Sequence, residues 1–246
     1  MKKQPLRLAN DPILEAIAEL RFEPTLPSAG DLILGMIFPE VKDVVPKIER
    51  LPFAEVPREF QDADANLRYA ARQKLSGGQF ALLLGDRVLD VACGRPYIGW
   101  DHFRELINRV FIALNKTGLV KQVERFSIKY VNVLEAQTRP EQYAFLDMKA
   151  SLGQYAFTDH LSQLRTEIPL GSTLNIVEIT AGVSIQLPQG ELSHGLLFSI
   201  DTLYQIGNEF WQDPLKIIDE AHAIEKSLFY DLLNADAMKS LNPIWN

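Results

Sequence analysis

Charged side chains recur at even spacing on three strand-like segments of this 246-residue chain. Glu15, Glu19 and Arg21 share one face of residues 13–22. Arg68, Arg72 and Lys74 share one face of residues 67–75, and Arg125 and Lys129 share one face of residues 123–134. Side chains separated by an even number of residues in extended backbone point the same way. If the three faces converge, carboxylates and basic groups line one concavity. Such a lining suits a metal–polyphosphate ligand, with carboxylates on Mg²⁺ and arginine forks on phosphate oxygens. The plainer expectation for the same residues is a set of solvated strand faces, where opposite charges pair across an antiparallel ladder.

The other chemistry-bearing residues are isolated. Cys93 lies in Cys93-Gly94-Arg95-Pro96-Tyr97 with no histidine nearby in sequence to activate it, and it reads as a structural cysteine. His102, His160, His194 and His222 form no H-x-x-x-H or H-E-x-x-H pair, so no metal site is expected. His222 has Asp219 and Glu225 one helical turn away on either side. A carboxylate beside an imidazole can orient a general base, but a histidine at the edge of the core, tied to one helical carboxylate, is the expectation. Ser76-Gly77-Gly78 reads as a hairpin turn rather than a phosphate loop, and no G-x-S-x-G elbow occurs. Neither catalytic residues nor cofactors are expected.

The elements that must position these residues alternate between strand and helix patterns. In residues 13–22, Leu14, Ala16, Ala18, Leu20 and Phe22 alternate with Glu15, Ile17, Glu19 and Arg21, one apolar and one mixed face at the period of a strand. Residues 28–38 suggest a short helix capped by Ser28 and ended by Pro39. Residues 44–59, with Pro46, Pro52 and Pro57, suggest irregular chain. Runs at 67–75, 79–84 and 87–92 suggest an antiparallel meander. Residues 100–115 carry Phe103, Leu106, Ile107, Val110, Phe111 and Leu114 at helical spacing, with Asp101 as the expected cap. A strand is expected at 123–134.

Further strands are expected at 143–152, 164–168, 174–187 and 195–205, with a turn at Pro188-Gln189-Gly190. A closing helix is expected at 213–233, its stripe made by Ile217, Ile218, Ala221, Ile224, Leu228 and Leu232. This is an α+β pattern of two antiparallel sheet-and-helix units with a long C-terminal helix. The expected division is 1–137 and 138–246, at Gln137-Thr138-Arg139-Pro140, or else one continuous domain.

Composition narrows the function classes. With 47% hydrophobic and 23% charged residues the chain is ordinary globular material, not a disordered segment. A net charge of −7 opposes general coating of nucleic acid. No run of about eighteen apolar residues offers a membrane span. The basic start Met1-Lys2-Lys3 leads into no apolar stretch of a signal peptide, and the lone cysteine fits a reducing compartment, so a cytoplasmic location is expected. Homo-oligomerisation stays open.

Two resemblances add expectations. Ile17-Ala18-Glu19-Leu20-Arg21 resembles the E-x-E-x-K opening of triphosphate-tunnel enzymes, with Ile17 in place of one metal-binding glutamate and Arg21 in place of the lysine. Nearly the whole chain resembles a sporadically distributed bacterial family of about this length without assigned activity. The likeness rests on Asp11-Pro12-Ile13-Leu14-Glu15-Ala16 leading into Leu20-Arg21-Phe22, and on Gly99-Trp100-Asp101-His102-Phe103. It also rests on Arg125-Phe126-Ser127-Ile128-Lys129-Tyr130-Val131-Asn132 and on Ala221-His222 through Phe229. That resemblance implies a bacterial cytosolic protein and transfers no catalytic residue. The family's patchy distribution implies an operon-encoded partner, as in mobile-element or phage-defence loci.

The leading expectation is therefore a non-catalytic binding or regulatory module that meets a protein partner through a sheet face or strand edge. The alternative is a phosphate-directed enzyme or nucleotide binder using Glu15, Glu19, Arg21, Arg68, Arg72, Arg125 and Lys129. Convergence of those side chains favours the second; an exposed apolar patch or unpaired edge strand favours the first.

Overall fold

Strands in this chain form where apolar residues recur every second position, and helices where they recur every third or fourth. The computed structural model describes residues 4–65, 67–149, 151–156, 163–186 and 192–245. In chain order the elements are β1 (Arg7–Leu8), β2 (Ile13–Pro24), α1 (Ala29–Val41), β3 (Lys47–Arg50), α2 (Arg58–Ala63), β4 (Gln73–Gly77), β5 (Phe80–Leu84), β6 (Val88–Gly94) and α3 (Trp100–Lys116). They continue with β7 (Val120–Glu135), α4 (Arg139–Tyr143), β8 (Ser151–Leu152), β9 (Tyr155–Ala156), β10 (Gln163–Leu170), β11 (Thr173–Gln186), β12 (Leu192–Tyr204), α5 (Pro214–Leu232), α6 (Ala235–Ser240) and β13 (Pro243–Ile244). Single turns of 3₁₀ helix lie at Pro52–Glu55 and Asn208–Gln212. The fold is α+β. The expected turn at Pro188–Gly190 and His160 lie outside the described residues.

Contacts divide the chain into two compact units, each collecting segments from both sides of Gln137–Pro140. The larger unit comprises Glu15–Ile128 and Leu203–Ala221. The smaller comprises Met1–Leu14, Lys129–Thr202 and His222–Asn246.

In the larger unit the strands are hydrogen-bonded in the order β7–β2–β6–β5–β4–β3. Pairing from β2 through β6, β5 and β4 to β3 is antiparallel. Ala16, Ala18, Leu20 and Phe22 of β2 are all fully buried, and α1 and α3 supply the side chains of the same core. From α1 these are Ile33 and Ile37; from α3 they are Phe103, Ile107, Val110 and Phe111. Phe111, Phe126 and Phe210 close the core as a ring cluster with centroids 5.6–6.1 Å apart. The opposite face of β2 carries Glu15, Glu19 and Arg21.

Several boundaries depart from expectation for identifiable reasons. Ser28 makes no cap bond; the first turn of α1 is capped from outside, where Gly30 N–H donates to Asp86 Oδ1 at 2.9 Å. Pro39 does not end α1, because the buried Val41 holds the last turn and Lys42 N–H still reaches the Phe38 carbonyl. Gly99, not Asp101, precedes α3, with φ 93°. The segment 44–59 is structured: Pro52 and Pro57 stand where short helices begin, positions at which a missing N–H is harmless. Gly77 lets β3 approach β4, since a Cβ there would lie 2.1 Å from the Val44 carbonyl oxygen.

The smaller unit pairs its strands in the order β10–β11–β12–β7, with β10 and β11 antiparallel from Gln163↔Thr180 to Leu170↔Thr173. Phe198 stacks on Phe229 of α5 at 5.8 Å, within a core that includes Val177, Ile179, Leu196, Ile200 and Leu228. The strand expected at 143–152 is absent over its first part. Thr138 and Glu141 form a reciprocal capping box that starts α4 instead, and only Ser151–Leu152 is extended. Glu225 is 4% exposed on the buried side of α5, next to the Ile224 expected there.

Candidate functional site

The polar face of the larger unit's sheet gathers charged side chains from three strands and one turn segment. Glu19 of β2 is the hub. Arg21 grips it with both fork nitrogens, Nε to Oε1 at 2.7 Å and Nη2 to Oε2 at 3.1 Å. Arg125 of β7 donates from Nη2 to the same Oε1 at 2.5 Å. The Arg21 guanidinium also lies 4.4 Å over the ring of Tyr69, and Arg68 lies 5.9 Å from that ring. Tyr69 donates its hydroxyl to Glu124 at 2.6 Å. Burial, and then that bond, hold the phenol above its ordinary value.

A slip of strand phase places two neighbouring residues in this network. Val123 and Phe126 are both fully buried, although residues three apart fall on opposite faces of a regular strand. The intervening Glu124 and Arg125 both bond within the polar network, so the alternation of faces breaks between Val123 and Phe126. The stacking residues Arg68 and Tyr69 arrive from a turn rather than a strand: Arg68 N–H donates to the Asp64 carbonyl, and β4 begins only at Gln73.

Asp90 lies beneath the hub. The register places it directly opposite Glu19 on β6. Desolvation pushes its carboxyl well above the ordinary value, and the Glu19 charge pushes the same way, while Arg21 and Arg125 oppose them. Burial thus favours the protonated form of Asp90, which is able to donate a hydrogen bond. Its Oδ1, the Nε of Arg68 and the Nε of Arg125 are buried and have no hydrogen-bond partner. Such orphaned polar atoms are uncommon in native interiors and call for a physical explanation.

The sequence-predicted residues thus divide. Glu19, Arg21 and Arg125 are bonded together, and Arg68 joins through Tyr69. Glu15 lies on the same face, two residues from Ile17 and four from Glu19, and its charge bears on Asp90. Arg72 does not join them. It is buried and clamps three acceptors, the Ala54 and Val56 carbonyls and Gln61 Oε1, at 2.7–3.1 Å. Because β4 starts after it, the shared face with Arg68 does not exist. Lys129 belongs to the smaller unit and pairs with Glu178 at 3.3 Å. Sequence reasoning missed Asp90, Tyr69 and Glu124. An acid inside Val88-Leu89-Asp90-Val91-Ala92 was a readable signal, whereas the break in face alternation that brings in Glu124 was not.

The remaining candidates have other settings. Cys93 is a reduced, buried cysteine in the core. Asp219 is bound in both oxygens by Arg104 at 2.6 and 2.7 Å. The His222 ring packs against Tyr130 at 5.9 Å. Among the described residues no group of three or more His, Cys, Asp and Glu side chains is placed to hold a metal ion. No described helix is long and apolar enough to cross a membrane. A groove of about 400 Å³ lies between the end of α3 and the start of α5, lined by Asn108, Ile112, Lys116, Trp211 and Pro214.

No family model and no curated protein matches this chain.

Proposed function

We propose that the chain is a binding protein for a small anion bearing phosphate groups, held on the polar face of the larger unit's sheet. The observation that carries this reading is the set of three buried, partnerless polar atoms, Arg68 Nε, Arg125 Nε and Asp90 Oδ1. The two guanidinium nitrogens donate to phosphate oxygens, the pairing for which arginine is best suited. Burial favours the protonated form of Asp90, and in that form it donates a third bond where an ionised carboxylate would repel the ligand. Arg21 contributes positive field while Glu19 and Tyr69 hold it in place. Binding is preferred over turnover because Glu19, the central carboxylate, already has both oxygens occupied by guanidinium donors.

Isothermal titration with tripolyphosphate, ATP and orthophosphate tests this. Tripolyphosphate is expected to bind, and Arg68→Gln or Arg125→Gln to weaken it about ten- to a hundred-fold, the loss of one charge-assisted bond. No heat with any of the three at millimolar concentration, in a protein that melts cooperatively, overturns the proposal.

A protein partner is the second reading, favoured by β10, the end strand of the smaller unit's sheet. Its Gln163, Arg165, Thr166, Glu167, Pro169 and Leu170 are all exposed. A partner purified from the native host, retained by Arg68→Gln and lost by Thr166→Pro, would favour it over the anion site.

A further inference from the structure

The apolar layer of the larger unit runs across five strands and ends in the open. Ala18 lies opposite Val91, Val91 opposite Leu82, Leu82 opposite Leu75, and Leu75 opposite Ile48. The first four are fully buried, whereas Ile48, on the end strand β3, is 47% exposed. Side chains directly opposite one another in a ladder share a face, so Ile48 continues the core row past the last covered strand. The flanking residues Lys47, Glu49 and Arg50 are also exposed. Phe53 and Phe60, in the segment that follows, are exposed as well.

The backbone of β3 is open in a defined phase. Leu51 N–H donates to the Arg72 carbonyl at 2.9 Å, and the register runs from Lys47↔Ser76 to Arg50↔Gln73. Lys47 and Glu49 therefore direct their backbone groups inward to β4. Ile48 and Arg50 direct N–H and C=O to the outer edge. Among the described residues no strand pairs with that edge.

We propose that a second copy of this chain covers the edge, β3 pairing antiparallel with its own counterpart across a two-fold axis centred on Ile48. The sequence Pro46-Lys47-Ile48-Glu49-Arg50 is complementary to itself in this register. Ile48 meets Ile48 of the other copy, extending the buried row, and the two exchange both backbone hydrogen bonds. On the opposite face each Lys47 meets a Glu49, giving two opposite-charge pairs. Each Arg50 N–H meets the carbonyl of Pro46, while the Arg50 carbonyl, facing a proline without an N–H, stays with solvent. Shifting the centre to Glu49 would set like charges together, so one register is selected. The interface is small, and a dissociation constant on the order of micromolar or weaker is expected.

Sedimentation velocity on the full chain, in a series reaching high-micromolar concentration, tests the pairing. The wild type is expected to dimerise. Lys47→Glu opposes two glutamate pairs and Glu49→Lys opposes two lysine pairs, so each alone is expected to weaken the dimer roughly ten-fold. An equimolar mixture of the two variants restores both attractive pairs and should form a heterodimer of wild-type strength. Far-ultraviolet circular dichroism confirms that both variants fold. A wild type that stays monomeric throughout, a dimer indifferent to Lys47→Glu, or a mixture no stronger than its parts would overturn the proposal.

Discussion

Replacing Glu225 by glutamine should stabilise the protein in a strongly pH-dependent manner. Glu225 is 4% exposed on α5, in line with the buried Ala221 and Leu228. Desolvation raises its carboxyl from an ordinary 4.5 to about 8, with Lys226 opposing only in part. The folded chain thus keeps the proton up to about pH 8, while the unfolded chain releases it near 4.5. Its contribution is whole below about 4.5, shrinks as pH rises, and is lost once pH passes about 8. The separation of about 3.5, at about 1.36 kcal/mol for each, gives on the order of 5 kcal/mol. This is a large share of the 5–15 kcal/mol that roughly bounds a domain's stability. Glutamine cannot ionise and so escapes the loss. Urea unfolding of both proteins at intervals from about pH 4 to pH 9 should show curves that nearly coincide in acid and diverge steadily above pH 5. Parallel profiles across that range would refute the reasoning, since they would mean that Glu225 titrates alike in both states.

Two further substitutions probe the frame of the charged face. Arg72→Leu should cost on the order of 3–5 kcal/mol, because it leaves the Ala54 and Val56 carbonyls and Gln61 without their buried donor; chemical denaturation measures it, and a loss below about 1 kcal/mol would mean that solvent replaces the clamp. Gly77→Ala should release β3 from β4, since the new methyl group would meet the Val44 carbonyl. Faster amide exchange at Lys47 and Glu49, with little change at β6, is the expected signature, and unchanged exchange would count against it.

The sequence made the long elements legible and left the short ones obscure, for a physical reason. β2 was readable because four consecutive alternations set Ala16, Ala18, Leu20 and Phe22 against polar neighbours. α3 was readable because six apolar residues recur at helical spacing. Where the local pattern is short, capping and tertiary contacts decide instead. The Thr138–Glu141 box turns an expected strand into α4, and the Asp86 carboxylate caps α1 from a distant turn. At the site, the common face of Glu15, Glu19 and Arg21 followed from periodicity alone. The departure of Arg72 did not, because it depends on where β4 begins. Nor did the entry of Glu124, because the alternation of faces breaks between Val123 and Phe126 without any composition signal.

Glu225 and the half-buried Asp90 show why the charged face, rather than burial itself, marks a candidate site. Glu225 sits on an apolar helix stripe, where an uncharged side chain of the same shape would serve folding better. Asp90 breaks the pattern of its strand in the same way, yet it does so facing Glu19, within the fields of Arg21 and Arg125. It also shares its partnerless condition with the Nε groups of Arg68 and Arg125. Each of these three groups leaves a polar atom buried without a partner, a cost that folding alone does not require. On the proposed reading, phosphate oxygens accept from the two guanidinium nitrogens and from the protonated form of Asp90, so that one ligand offsets three separate costs. Removing the groups one at a time therefore separates the explanations. If tripolyphosphate stabilises each single variant less than it stabilises wild type, the three groups act as one site. If the response to tripolyphosphate is unchanged in all three, they are unrelated flaws of packing.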